Sequence, residues 1–195
     1  ATGIFSVDEL AIYSETDGLT EVFSDDFESY LVGDSLDTDN AASPYHSNTS
    51  EATVGAEPDA AGGPGTPGNQ VAEIVDTLDT DTGELRYALD ADGPLAAGRV
   101  ELKLKRLDDA LGDGDAFITL FNADTNNAGA ILDFRIRDDS FGVRNPAATD
   151  TSTLPHTLDA FMDVRITWEY PGGDTGQFPE VTISVDGVSL GPIVP

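Results

Sequence analysis

The chain reads as an all-β protein, an antiparallel β-sandwich, on three observations. Apolar residues recur with period two, the breaks between such runs carry glycine, proline and aspartate, and helical periodicity is almost absent. Residues 4–13, Ile-Phe-Ser-Val-Asp-Glu-Leu-Ala-Ile-Tyr, open the series as a half-buried strand. The segments 71–75, 84–89, 99–105, 116–121, 130–137, 162–169 and 181–185 each alternate over a strand's length. At most a single helical turn is expected, near Leu107–Leu111 or Leu158–Phe161. Gly112-Asp113-Gly114-Asp115, Pro171-Gly172-Gly173-Asp174 and Asp186-Gly187 supply the turns. Residues 37–69 lack alternation and are rich in small and turn-forming residues. They predict a long loop with Tyr45-His46 tucked down on the sandwich.

The 195 residues fit a single domain, 1–195. With 37 acidic against 9 basic residues the formal charge is −28, which argues against binding to nucleic acid or to an anionic membrane surface, since both need clustered cations. Self-repulsion of this size is relieved by salt or by bound cations such as Ca2+. Cysteine is absent, so neither disulfides nor thiolate metal sites are available. No apolar stretch reaches the length of a membrane helix. An acidic, cysteine-free chain is expected to be secreted or held at the cell surface, in a marine or halotolerant bacterium.

All nine basic residues lie between Arg86 and Arg165. On 99–105, Val100, Leu102 and Leu104 share one face, leaving Lys103 and Lys105 on the other. On 130–137, Leu132, Phe134 and Ile136 oppose Arg135 and Arg137, and Arg86 and Arg165 likewise oppose apolar neighbours. If these strands share one sheet, its outer face carries a positive stripe suited to an anionic polysaccharide such as a uronate or sulfated glycan. The alternative is cross-strand pairing with Glu84, Glu101, Asp133 and Asp163, which stabilises the sheet and binds nothing. Of the aromatic residues that could stack on sugars, Trp168 is in phase with Val164 and Ile166, and Tyr87 with Leu85 and Leu89, which places both in the core. Tyr45 and Tyr170, in loops, are the better ligand-binding candidates. Carboxylates crowd at Asp25-Asp26 with Glu28, from Asp34 to Asn40, and at Asp113 and Asp115 near Asp108-Asp109. None of these clusters has the spacing of an EF-hand loop.

Two segments carry a family resemblance. Ser6-Val7-Asp8-Glu9-Leu10-Ala11-Ile12-Tyr13-Ser14 resembles the closing strand of concanavalin A-like (laminin-G-like) jelly-roll modules of secreted bacterial proteins. Val22-Phe23-Ser24-Asp25-Asp26-Phe27-Glu28-Ser29-Tyr30, followed by Gly33-Asp34, resembles their opening strand. The resemblance implies a jelly roll whose N-terminal strand sits where the last strand usually lies. The chain then looks like a module cut out of phase, with residues 1–18 an edge strand or one exchanged with a neighbour. It further implies a structural calcium near the strand junction, where Asp8, Asp25, Asp26 and Glu28 stand. The closely paired carboxylates of a Glu-x-Asp-x-x-Glu strand, used by the related glucanases, are missing, as are the Arg-x-Glu-x-Arg and Gln-x-His motifs of the lyases. His46 and His156 have no nucleophile or metal motif around them. The expectation is therefore a non-catalytic carbohydrate-binding module. The rival is a structural repeat of an adhesin or filament, joined head to tail by strand exchange.

Overall fold

The computed structural model describes residues 3–15, 19–37, 43–45, 52–56, 69–76, 85, 87, 95–106, 116–121, 130–136, 141–145, 148–149, 159–173 and 179–193. Across these residues the protein is all-β, as the alternation predicts, and contains no α-helix. The strands in chain order are β1 (Gly3–Ser14), β2 (Thr20–Asp25), β3 (Ala52–Ala56), β4 (Gln70–Asp76), β5 (Ala97–Arg106), β6 (Ala116–Phe121), β7 (Ala130–Ile136), β8 (Phe141–Asn145), β9 (Ala148–Thr149), β10 (Met162–Glu169), β11 (Glu180–Val185) and β12 (Val188–Ile193). An eight-stranded sheet runs β12-β11-β10-β5-β1-β4-β3, with β2 also paired to β1, and β6-β7-β8-β9 form a second sheet. Every pairing is antiparallel.

Alternation decides which face is buried. On β10, Met162, Val164, Ile166 and Trp168 are buried between exposed or half-buried neighbours, and Val181, Ile183 and Val185 repeat the pattern on β11. Val100, Leu102 and Leu104 of β5 join the same cluster, as does Phe134 of β7, so both sheets contribute to one core. Each such aliphatic side chain, fully buried, contributes roughly 1.5–3 kcal/mol. Trp168 is core, as its phase predicts, and its indole N–H donates to the Leu95 carbonyl at 3.1 Å. Gly98 lets that indole pass, because a Cβ at this position would stand 2.3 Å from the Trp168 Cζ2 atom.

The N-terminal strand departs from the expectation of an edge or exchanged strand. β1 lies inside the larger sheet, remote from β11 and β12. Along one side Phe5 to Ser14 pair with β5. Along the other, Gly3–Val7 pair with β4 and Leu10–Ser14 with β2. Its apolar residues Phe5, Val7 and Ile12 are buried, and both of its edges are paired within the chain. The strand order ends at β3 and β12, and β2 pairs with β1 alone among the described residues. β3 is bordered by residues 33–36, through Gly33 N–H to Val54 O at 2.7 Å and Leu36 N–H to Ala52 O at 2.9 Å. β12 is irregular where Gly191 and Pro192 interrupt its register with β11, and proline offers no donor to an incoming strand.

Three further differences have local causes. β3 lies inside the segment expected to be loop: Ala52 and Val54 alternate into the core, but the run is too short and small-sided to register as a strand. Within 84–89 only residues 85 and 87 are described, and neither is in a strand. The expected helical turn at 107–111 lies outside the described residues, and Asp159–Phe161 form a turn and bend rather than a helix. Asp186-Gly187 makes the predicted hairpin turn, with φ of 49° and 78°, directly between the paired Val185 and Val188.

Candidate functional site

The face of the larger sheet opposite the core holds an open trough of about 790 Å³, floored by β1, β5 and β10 and walled by residues of β2 and β11 and the turns that follow them. Side chains reach it from rigid strands: Ala11 and Tyr13 of β1, Glu101 and Lys103 of β5, Asp163 and Arg165 of β10 and Ser184 of β11. All stand at positions alternating with core residues. Glu9, Glu21, Asp25, Asp26, Glu101 and Asp163 line it with carboxylates, against the cations Lys103 and Arg165.

Both cations are paired. Glu101 Oε1 lies 2.6 Å from Arg165 Nε and 3.2 Å from Arg99 Nε, and Glu9 Oε2 lies 3.5 Å from Lys103 Nζ. The register explains the first contact, since Arg165 lies directly opposite Glu101. Arg99 also sits over the Tyr13 ring, 4.8 Å from its centroid.

The single basic stripe expected from the sequence is not built. Lys103 and Lys105 lie on β5 in the larger sheet, whereas Arg135 lies on β7 in the smaller one, so the strands do not share a sheet. Lys105 is buried, its ammonium 5.1 Å from the centroid of the Phe161 ring. Arg86 and Arg137 lie outside the described residues, as do Asp113 and Asp115. Cross-strand pairing, the alternative reading, describes Glu101 and Arg165.

The aromatic candidates are also displaced from a ligand-facing role. Tyr45 is 2% exposed and Tyr170 8%, too covered for either ring to present a face to a sugar. Tyr45 is tucked down, as its loop predicts, stacked on Phe27 at 6.1 Å and edge-on to Phe23. Its hydroxyl donates to Asp25 Oδ2 at 3.0 Å, beside that of Tyr30 at 2.9 Å. Burial, followed by the Asp25 charge, raises the Tyr45 phenol far above its ordinary range, and burial with the Asp25 hydrogen bond does the same to Tyr30.

These contacts give the Asp25-Asp26-Phe27-Glu28 segment a structural explanation. Asp25 Oδ1 accepts the Phe27 N–H at 2.8 Å and Asp26 Oδ1 the Glu28 N–H at 3.2 Å, folding the turn on its own side chains. Glu28 Oε1 accepts the Gln70 N–H at 2.7 Å, and the Glu28 carbonyl accepts from the Gln70 side-chain amide at 3.1 Å, tying the end of β2 to the start of β4. The four carboxylates expected around a calcium thus have donors within the protein. Among the described residues no three acidic or histidine side chains gather as a metal site.

Asp8 stands where β1 passes from β4 to β2. It is 1% exposed; its Oδ1 accepts the Glu9 N–H at 2.8 Å and its Oδ2 the Asn69 side-chain amide at 3.3 Å. Burial pushes its carboxyl above the ordinary range, against the opposing pull of Asn69, the Glu9 amide and Lys103. Immediately after it Glu9 adopts φ 47°, and the register with β5 slips between Asp8 and Ala11. This bulge turns Glu9 to the trough and returns Leu10 to the core side. Sequence reasoning missed it, although a signal is present: the apolar phase runs Phe5, Val7 and resumes at Leu10, Ile12, one residue out of step. Comparison of the chain with protein-family models, with curated proteins and with solved structures finds no match in any of the three.

Proposed function

We propose that the chain is a non-catalytic, lectin-like carbohydrate-binding module of a secreted protein, built as a two-sheet sandwich, with the outer-face trough as its binding surface. The observation that carries this reading is the trough itself: open, long enough to cross several strands, and lined by hydroxyls, carboxylates and cations held on paired strands. Such a surface offers donors and acceptors in fixed positions to a polymer rich in hydroxyl groups, at little cost in ordering. The catalytic carboxylate patterns of the jelly-roll hydrolases and lyases are missing from the sequence, which supports binding over turnover. The rival array reading would require Gly3–Ser14 to leave three partner strands before it could be exchanged.

Calorimetric titration with soluble polysaccharides tests the proposal. The wild type is expected to bind at least one polymer, and Arg165→Ala combined with Asp163→Asn to weaken that binding about tenfold or more, the loss of charge-assisted hydrogen bonds, with little change in melting temperature. A wild type that binds no polysaccharide overturns it.

A further inference from the structure

On the reading that the trough binds polysaccharide, we infer that Glu9 is its specificity-determining residue, and that the Glu9–Lys103 pair selects sugars without acid groups.

Glu9 sits in the left-handed region, at φ 47°, on a strand paired along both sides. At a bulge residue of this conformation glycine is the unstrained choice, because any Cβ there meets the following carbonyl. Glutamate lacks the short polar side chain that lets asparagine or aspartate tolerate the region. The strain is locked rather than relieved, since the buried Asp8 carboxylate accepts the Glu9 N–H and is itself held by Asn69. Strain of this kind persists where the surroundings over-determine it and concentrates at binding sites.

What the strain achieves is placement. Without the slip, residue 9 would continue the alternation set by Phe5 and Val7 and turn its side chain to the core. With it, Glu9 lines the trough and meets Lys103. Lys103 is flanked by acids from both neighbouring strands, since it lies opposite Asp8 of β1 and Asp163 of β10. A uronate or sulfate reaching this ammonium would have to displace Glu9 and approach several carboxylates. Neutral hydroxyls instead find an acceptor in Glu9 and a donor in Lys103 side by side, with no net charge to compensate.

Affinity gel electrophoresis tests the inference, with a β-glucan, a galactomannan and polygalacturonate as the polymers in the gel. Wild-type protein is expected to be retarded by at least one neutral polymer and not by polygalacturonate. Glu9→Gly should raise the melting temperature and weaken that retardation about tenfold. Glu9→Gln, which leaves the backbone to the same fold, should weaken it in the same direction. Retention of wild-type affinity by both variants overturns the role of Glu9 while leaving the trough as binding surface intact. Preference of the wild type for polygalacturonate overturns the selection of neutral sugars. No retardation by any polymer overturns the carbohydrate-binding reading, and this inference falls with it.

Discussion

Asp8 shows how one residue couples the packing of a strand to the pH of its surroundings. Its carboxyl is raised by burial, so the folded protein holds the Asp8 proton more tightly than the unfolded chain does. Over the interval between the ordinary aspartate pKa and its raised folded value, folding takes up a proton. The contribution of Asp8 to stability is therefore present at the acid end and lost as pH rises through the folded value. Thermal melts of the wild type and of Asp8→Asn across that interval are expected to show the wild type gaining on the variant as pH falls; parallel curves would mean that Asp8 titrates alike in both states. The family resemblance grouped Asp8 with Asp25, Asp26 and Glu28 as ligands expected around a calcium. It could not show that backbone amides, tyrosine hydroxyls and carboxamides already answer these carboxylates, because those donors come from residues as distant as Tyr45, Asn69 and Gln70.

At the scale of elements, alternation worked where a strand is half-buried and long. The run 99–105 falls within β5, 162–169 coincides with β10, and 181–185 falls within β11. It failed on β3, whose Ala-Thr-Val-Gly-Ala sequence has too little side chain to show a pattern. It failed also on β12, where a proline argues against a strand unless the strand lies at an edge. Neighbours were less legible than strands. Period two tells that residues 4–13 form a strand, but pairing partners are chosen by contacts far away in the chain, and the partners here are β2, β4 and β5. Because β1 joins all three, removing residues 1–14 should abolish the cooperative thermal transition rather than leave a weakened monomer. Circular dichroism of the truncated chain through a temperature ramp is the measurement, and a sharp transition near the wild-type midpoint would contradict the central role of β1.

For the whole molecule, charge acts on stability in a way that no single contact describes. A formal −28 on 195 residues makes self-repulsion sensitive to screening. Raising sodium chloride from about 0.01 to about 1 M shortens the Debye length from about 30 to about 3 Å, so the melting temperature should climb over that range; a midpoint indifferent to salt would show that the charges are already balanced locally. Composition made this legible, whereas the pairing of Lys103 and Arg165 with Glu9 and Glu101 needed the register of three strands. The interior place of β1 has one more consequence, in the order of synthesis. Among the twelve strands it leaves the ribosome first, and β2 follows within moments, but β5 is complete only after Arg106 has been added. At about 5–20 residues per second the wait is on the order of several seconds, during which Phe5, Val7 and Ile12 lack half their cover. Most of the stretch made in that interval, up to Arg86, contains no lysine or arginine. Neighbouring nascent chains on one message then repel each other through their acidic residues until the strand that closes β1 arrives.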